Sequence, residues 1–214
     1  MNEYENEPVR GLPEVLPAGE TMIWQGAPRW QCLARRAFHV RKIALYFAVL
    51  IAVQVGSAGN LATEPLAALQ GASWLVLLGA ITLGLLTVLA WLYARTTVYT
   101  LTDKRLVMRF GVALPMMINV PWSKVDAIDL RHYKDGTGDI IIGLSAGVKS
   151  SYWVLWPHAR PWHFSPAQPM LRSLPQAQTV ADQLARAIRD TTPAMDEPSH
   201  PLDTAAQGHG PALS

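Results

Sequence analysis

The segment WLVLLGAITLGLLTVLAWLY, residues 74–93, decides the fold of this chain because none of its residues carries a charge. A helix rises about 1.5 Å per residue, so a helix of this length covers a hydrocarbon core of about 30 Å. A buried helix in a soluble protein seldom has such a long uncharged run. We therefore predict that residues 74–93 span a membrane.

A second apolar run, IALYFAVLIAVQVGSA at residues 43–58, precedes this segment and contains Gln54 and Ser57. It reaches a spanning length only if the helix also includes residues 38–40 or continues to residue 61. Two apolar runs joined by a short loop predict a transmembrane helical hairpin over residues 43–94.

Basic residues flank this hairpin on both sides and are missing from its loop. The loop at residues 59–73 has no Lys or Arg and one acidic residue, Glu64. Basic residues stay on the cytoplasmic side of short loops. The distribution predicts two spans in the inner membrane with both termini in the cytoplasm.

Small residues recur at every fourth position of the first run: Ala44, Ala48, Ala52 and Gly56. This spacing places them on one helix face, where small side chains let another helix approach closely. The face either packs against the second helix, which offers Ala80 and Gly84 at the same spacing, or receives a partner's membrane helix.

The basic segment RWQCLARRAFHVRK, residues 29–42, comes directly before the first apolar run. We predict a helix along the inner membrane surface, whose basic side chains meet anionic headgroups at about 1 kcal/mol each. Alternatively, the charges only set the topology. The candidate membrane-surface residues are Arg35, Arg36, Arg41 and Lys42.

The composition fits a membrane protein with a folded cytoplasmic part. Charged residues make up 16% of the chain, below the roughly 25% that is usual in soluble domains. The net charge of +2 lacks the basic excess of a nucleic-acid-binding domain. The single cysteine, Cys32, excludes an internal disulfide and a zinc ribbon. The acidic N-terminus does not follow the signal-peptide pattern, so we expect the first span to remain in the protein.

After the hairpin, apolar and polar residues alternate between turn signals, which predicts six short antiparallel strands. The predicted strands cover residues 97–101, 105–110, 114–120, 124–133, 139–144 and 152–156. One more short strand is predicted before the basic segment, at residues 21–25.

An amphipathic helix is predicted over residues 173–189, where Ser173 and Gln176 form a capping box around Pro175. Its apolar stripe consists of Val180, Leu184 and Ile188. Six strands closed by a C-terminal helix outline a pleckstrin-homology-like domain, an antiparallel β half-barrel whose open end the helix caps.

The predicted fold class is therefore a membrane α-helical hairpin plus an α+β domain. In chain order we predict a mobile segment (1–19), a strand with the basic interfacial segment (20–42), the hairpin (43–94), a cytoplasmic domain (95–190) and a disordered tail (191–214).

Seven segments carry a resemblance to a known family: LPAGE (16–20), IWQGAPRW (23–30), ARRAFHVRKIALYF (34–47), YTLTDKRLVMRFGVALPM (99–116), KDGTGDI (134–140), LWPHARPW (155–162) and PMLRSLP (169–175). In these segments the chain resembles the photosynthetic complex assembly proteins of purple bacteria, membrane-anchored relatives of bacterial pleckstrin-homology-like proteins. WQGAPRW and LWPHARPW are the most specific of them. The resemblance covers residues 16–189.

This resemblance implies a protein of the intracytoplasmic membrane that helps to assemble the photosynthetic reaction centre and its core light-harvesting complex. It also implies self-association and no enzymatic reaction. The expected partners are reaction-centre and core antenna polypeptides, membrane lipid and a second copy of the chain, without nucleic acid. The resemblance does not identify the contact residues.

Catalytic and metal-binding patterns are scarce in this sequence. His158 and His163 are five residues apart in a Pro-rich loop, which is not a metal-ligand spacing. Asp135 and Asp139 flank a Gly-rich turn that fits plain hairpin chemistry. The glycines also lack the phosphate-binding pattern of nucleotide sites. We expect neither an enzyme nor a metal site.

His39 is the histidine closest to the expected membrane surface, four residues before the first apolar run. An imidazole nitrogen can ligate a metal, so His39 is a candidate ligand for the magnesium of bacteriochlorophyll. Alternatively, it is an interfacial residue that only helps to set the topology. Apart from this pigment, we expect no cofactor.

The loop at residues 156–162 is a candidate partner-binding segment. Its aromatic and cationic side chains are typical interface anchors, and its two prolines reduce the entropy lost on binding. The candidate contact residues are Trp156, His158, Arg160 and Trp162. Alternatively, the tryptophans pack as a core plug under the C-terminal helix.

These features predict a non-enzymatic assembly factor that acts by protein–protein contact at the inner membrane. Two alternatives remain open. One is a lipid-binding module whose basic segment senses anionic headgroups, and the other is a protein that carries bacteriochlorophyll to the apoproteins.

Overall fold

A helical part and a β-rich head make up the portion of the chain that the computed structural model describes, residues 11–12, 14–57, 65–145 and 151–191. The elements are, in order, β1 (Met22–Gly26), α1 (Trp30–Arg36), α2 (Val40–Ser57), α3 (Pro65–Thr96), β2 (Val98–Thr102), β3 (Arg105–Phe110), β4 (Met116–Pro121), a 3-10 turn (Trp122–Lys124), β5 (Val125–His132), β6 (Thr137–Leu144), α4 (Tyr152–Leu155), β7 (Met170–Pro175) and α5 (Ala177–Thr191).

The hairpin consists of α2 and α3, and both helices are long and apolar enough to cross a membrane. Of their most apolar windows, 0% and 11% is buried within the protein. Helices that are apolar all round belong inside a large protein core or in a bilayer, and no such core covers these two. They are therefore two candidate membrane spans.

The two helices pack against each other, and one close contact lies near their middle. A Cβ added at Gly79 of α3 would lie 3.1 Å from the Cγ atom of Phe47 of α2, so the missing side chain makes room for the ring. The small-residue stripe does not lie in this interface, because Ala48, Ala52 and Gly56 are exposed. Only Ala44 is half-buried. The alternative role of the stripe, contact with a partner's helix, stays a prediction.

The predicted continuous helix over residues 29–42 is wrong, because α1 ends at Arg36. The chain then turns, and His39 adopts a φ of 53° in the left-handed region. The His39 carbonyl accepts hydrogen bonds from the N–H groups of Lys42 and Ile43, at 2.8 and 3.1 Å, and so begins α2. Helix α1 packs instead on the last turns of α3, in a buried cluster of Leu33, Ala34, Phe38, Ala90 and Ala94.

The head contains two antiparallel sheets, one with the order β1-β2-β3-β4 and one with the order β5-β6-β7. Strand β1 pairs with β2, for example Gln25 with Thr100, so the hairpin is inserted between two neighbouring strands of one sheet. The sequence-based division placed this strand in a separate segment, residues 20–42. In the structure it is an edge strand of the head.

Helix α5 closes the head, and its apolar face covers a core that both sheets share. Trp122, Tyr99 and Phe110 are among the largest fully buried side chains. Of the predicted stripe, Val180 and Leu184 lie in this core, and Ile188 is partly buried and packs against it. The predicted fold class, a helical hairpin with an antiparallel half-barrel and a C-terminal helix, is confirmed.

Two predicted elements are wrong. Of the predicted strand at residues 152–156, Tyr152–Leu155 form the short helix α4 and Trp156 follows it, and residues 170–175 form β7, where we predicted no strand. The capping box is also wrong, because Ser173 lies in β7, where its N–H donates to Asp139 Oδ1 at 2.7 Å. Pairing of β7 with β6 therefore overrides the local capping signal, and α5 starts at Ala177.

Some predictions concern residues outside the described part of the chain. Of the predicted mobile segment, residues 1–10 and 13 lie outside it. The predicted disordered tail also lies outside it, except for Thr191, which ends α5.

Candidate functional site

The connecting loop, residues 156–169, is held in a defined conformation by backbone contacts. Ala159 forms a bridge with Pro169. The N–H of Met170 donates to the His158 carbonyl at 2.7 Å, and the N–H of Arg160 donates to the Gln168 carbonyl at 2.9 Å. As predicted for residues 156–162, this segment is neither helix nor strand, and these contacts tie its backbone together.

His158 is fully buried and joins the head to the last turn of α3. The Thr97 hydroxyl donates to the Tyr93 carbonyl at 2.6 Å. It must therefore accept its second hydrogen bond, from Nε2–H of His158 at 3.2 Å. The neutral ring then accepts the proton of the Tyr99 hydroxyl at Nδ1, over 2.7 Å. These interactions satisfy both ring nitrogens.

Burial lowers the pKa of His158 from 6.5 to about 3, and the positive charge of Arg172 adds to this shift. The ring is therefore neutral at physiological pH and its hydrogen bonds are all internal. The prediction that His158 contacts a partner is incompatible with this position, because its side chain does not reach the surface.

Trp156 attaches the connecting loop to the base of the hairpin. Its ring centroid lies 5.6 Å from that of Phe38 and 6.0 Å from that of Tyr93, both edge-to-face. Such geometry is the favourable one for aromatic pairs. The side chain keeps 41% of its surface exposed, so it serves as an internal contact and still reaches the surface.

Three aromatic side chains near this contact project into solvent. The exposed fractions are 86% for Trp162, 81% for Trp153 and 56% for Phe164. The ring of Tyr152 supports two of them, with centroids 4.8 Å from Phe164 and 6.0 Å from Trp153. We name Trp153, Trp162 and Phe164 the aromatic surface.

Arg160 is half-buried, and its Nη1 donates to the Gln168 side chain at 2.9 Å. Its guanidinium is thus positioned by the connecting loop. Contact of Arg160, Trp156 or Trp162 with a partner stays a prediction.

The membrane-surface prediction required an Arg36 side chain that is free to contact lipid. In the structure this side chain is paired within the protein. Its Nη2 lies 2.8 Å from Asp135 Oδ2, and its Nη1 donates to the Thr137 hydroxyl at 2.7 Å. The guanidinium also stacks on the Tyr133 ring, 3.4 Å from the centroid. Arg36 therefore binds α1 to the β5–β6 turn, where sequence reasoning expected only a hairpin turn.

Two pKa shifts follow from this arrangement. Hydrogen bonds from Thr137, followed by that from Arg36, hold the pKa of Asp135 well below its usual range. Burial and the hydrogen bond from its hydroxyl to Asp139, at 2.6 Å, raise the pKa of Tyr133 to about 12. Asp135 is therefore an anion and Tyr133 a neutral phenol under physiological conditions.

The remaining predicted site residues are exposed at the base of the hairpin. Arg35, Arg41 and Lys42 are accessible, as their predicted contact with headgroups requires. His39 is exposed too, and its role as a pigment ligand stays a prediction. Within the described residues, no group of three or more His, Cys, Asp or Glu side chains could hold a metal ion.

Comparison with known proteins defines the class to which this architecture belongs. The family model described as bacterial PH domain matches residues 40–188. The chain therefore belongs to the bacterial PH domain family, whose members are typically non-enzymatic.

A second comparison narrows the relationship. The chain is 33% identical over 189 residues to an uncharacterized 23.7 kDa protein in the puhA 5' region of Rhodobacter capsulatus, and the match covers 88% of each chain. Together with the family match, this similarity is consistent with a PuhB-like protein, in agreement with the resemblance seen in the sequence. No solved structure matches the chain.

Sequence reasoning missed the residues that only tertiary contacts bring to the site. Trp153 falls in the predicted strand at residues 152–156, and no sequence pattern marked Phe164. The pairing of Arg36 with Asp135 joins residues 99 positions apart. The density of aromatic residues in 152–164 could have indicated this surface. It exceeds what one strand and the tryptophans packed under the C-terminal helix can bury.

Proposed function

We propose that the protein is a non-enzymatic assembly factor for the photosynthetic reaction centre and core light-harvesting complex, acting by protein–protein contact at the inner membrane. In this proposal α2 and α3 span the membrane, both termini are cytoplasmic, and the head lies on the cytoplasmic face. The puhA neighbourhood of the relative supports a role in photosynthesis, and the bacterial PH domain family supports a non-enzymatic role.

The observation that carries the docking role is the aromatic surface. Tryptophan is enriched among the energetic anchors of protein interfaces, and a group of exposed large apolar side chains marks an interaction site. Trp156 holds the same loop against Phe38 and Tyr93 at the base of the hairpin. A partner that meets this surface must therefore itself lie at the membrane, as reaction-centre and core antenna polypeptides do.

Confinement to the membrane strengthens this mechanism. Two proteins held in the same bilayer meet at a high effective concentration, so a small docking surface suffices. The exposed stripe of α2, with Ala48, Ala52 and Gly56, offers the same partner a close helix contact within the bilayer.

A co-purification experiment tests the proposal. The full-length tagged protein is expressed in a photosynthetically grown purple bacterium that lacks its own copy, then captured in mild detergent. We expect reaction-centre and core antenna polypeptides to co-purify. The variant carrying Trp153→Ala, Trp162→Ala and Phe164→Ala should lose most of them.

A matched control removes exposed apolar side chains elsewhere, with Val15→Ala, Val112→Ala and Leu114→Ala, and should capture as much as the unmodified chain. Equal capture by the aromatic variant would exclude the aromatic surface as the docking site. Bound bacteriochlorophyll without polypeptides, lost on His39→Leu, would favour the pigment-carrying alternative.

A further inference from the structure

The outer edge of β4 is open in the described part of the chain. Strand β4 is the last strand of the four-stranded sheet, and among the described strands it pairs with β3 alone. The N–H of Trp122 donates to the Lys104 carbonyl at 3.2 Å, and this bond sets which residues of β4 bond to β3. In an antiparallel pair, such residues alternate with residues whose N–H and C=O groups point away. The N–H and C=O groups of Met117 and Asn119 therefore point to the open edge.

An apolar groove lies beside this edge, between β4 and α4. Its volume is about 310 Å³. The lining residues include Ile118 and Val120 of β4, and Val154 and Leu155 of α4. Successive side chains of a strand point to opposite faces. A strand added to the open edge would therefore place every second side chain in this groove.

An open strand edge beside an apolar groove suits an extended segment better than a compact ligand. Unpaired N–H and C=O groups are a template for another strand. In such complexes the main-chain hydrogen bonds provide affinity, and pockets for alternate side chains provide specificity. Pro115 and Pro121 flank the edge, and proline has no N–H to donate. The usable edge is therefore residues 116–120, which suits a short segment.

The C-terminal tail, residues 192–214, starts at the same end of the head as this groove. Thr191, the last residue of α5, donates from its hydroxyl to the Asp103 carbonyl at 2.9 Å. The next residue, Lys104, accepts the hydrogen bond from Trp122, which follows β4 directly. Helix α5 also packs on the 3-10 turn that follows β4. Because each extended residue spans about 3.3 Å, a few residues of the tail reach the groove.

The charges of the tail complement those at this end of β4. The tail has three carboxylates, Asp196, Glu197 and Asp203, and no Lys or Arg. Lys104 and Lys124 are exposed at this end, and neither forms an ion pair with another described residue. Opposite charges attract the tail to this side of the head.

Between Pro193 and Pro198 the tail has four residues without a proline, 194–197. We propose that these residues add to the open edge of β4 as a strand and that the Met195 side chain fills the groove. The added strand is antiparallel to β4, because the tail starts near the end of β4. Methionine is unbranched and flexible, so it adapts to an irregular apolar space.

This contact gives the tail a role as a cover. An uncovered edge strand pairs readily with another chain, and the docked tail would prevent such pairing. A partner strand that adds to β4 must first displace the tail. This proposal does not depend on the docking role of the aromatic surface, which lies outside the edge of β4.

Amide hydrogen exchange of the full-length protein in detergent, followed by NMR at single residues, tests the proposal. We expect the N–H groups of Met117 and Asn119 to be protected in the unmodified chain. Met195→Asp places a carboxylate in the apolar groove, so it should raise the exchange rates of these two N–H groups about 10-fold. The N–H groups of Ile118 and Val120 bond to β3 and should keep their exchange rates, which shows that the head stays folded.

The matched control, Leu202→Asp, makes the same kind of change further along the tail and should leave the exchange of Met117 and Asn119 unchanged. An equal increase in this control would overturn the assignment to residues 194–197. Fast exchange of both N–H groups in the unmodified chain, or no change in Met195→Asp, would overturn the proposal. Protection that decreases on about 10-fold dilution would overturn it too, because the edge would then pair with a second copy of the chain.

Discussion

Two of the contacts that attach the head to the helical part use opposite physical chemistry. The buried junction joins Tyr93 and Thr97 to His158 and Tyr99 through neutral hydrogen bonds. The ionic junction joins Arg36 to Asp135, Thr137 and Tyr133, and its two charged side chains remain 25% and 37% exposed.

This difference predicts that the two junctions respond to different conditions. The buried junction depends on a histidine that must stay uncharged. Mild acid therefore weakens its contribution to stability, and salt does not. The ionic junction depends on charges that water and salt screen. Its carboxylate has a lowered pKa, so this contribution is present above the usual value of 3.8 and is lost only as the pH falls below it.

Removal of the His158 ring should have the largest effect on stability. His158→Ala loses two buried hydrogen bonds and the packing of the ring on Phe110, 5.0 Å between centroids. We expect the free energy of unfolding to fall by about 3 kcal/mol, measured by denaturant titration of the full-length protein in detergent. His163→Ala, an exposed histidine of the same loop, should change it by less than about 0.5 kcal/mol. Similar effects of the two changes would show that the buried junction is not a stabilising contact.

Mild acid should give the second largest effect. The pKa of His158 is lower in the folded state, so only the unfolded chain binds this proton between pH 6.5 and about 3. The stabilisation is complete above pH 6.5 and is lost as the pH falls. Between pH 7 and 5 we expect a loss of about 2 kcal/mol. The same titration of His158→Ala should show a smaller change, and an unchanged pH dependence would contradict the assignment.

Breaking the ionic junction should cost less. Arg36→Ala removes a partly exposed ion pair and the stacking on Tyr133, so we expect a loss of about 1 kcal/mol in the free energy of unfolding. Arg35→Ala removes an exposed neighbour on the same helix and serves as the control, with an expected loss below about 0.5 kcal/mol. A loss as large as that for His158→Ala would erase the distinction between the junctions.

Salt should produce the smallest effect. The free energy of unfolding is measured by denaturant titration for the unmodified chain and for Arg36→Ala. Raising the salt concentration from 0.05 to 1 M should reduce the difference between these two free energies by a few tenths of a kcal/mol, because the Debye length shrinks to about 3 Å. The difference in the free energy of unfolding between the unmodified chain and His158→Ala should not change with salt concentration. Salt dependence of the latter would indicate that the histidine carries a charge.

The sequence identified the hairpin and most of the strands because these elements have local patterns. An uncharged run of spanning length identifies a candidate membrane helix without reference to any neighbouring element. Strand β3 was predicted at residues 105–110, its observed bounds, because turn residues limit it on both sides. The error at residues 152–156 has an equally local cause, since a short apolar run does not distinguish a strand from a helix.

The candidate sites were harder to predict because their parts are distant in sequence. His158 looked like a surface residue between two prolines, and only the positions of Thr97 and Tyr99 show that it is buried. The aromatic surface was predicted in part, through Trp162, while Trp153 was assigned to a strand. The sequence places Arg35, Arg36 and Lys42 in one basic segment, and only the fold brings the strand residues Arg131 and Arg172 close to them.

By itself, the sequence determined that the chain has two candidate membrane helices and an antiparallel β head closed by a helix. Hydrophobic length, alternation and helical periodicity are properties of consecutive residues, so no neighbouring element is needed to establish them. Only the tertiary structure decided which charges are paired, which histidine is buried and where cations gather. Those properties depend on distances between residues that are far apart in the chain, and the pairing of β1 with β2 and of β7 with β6 sets these distances.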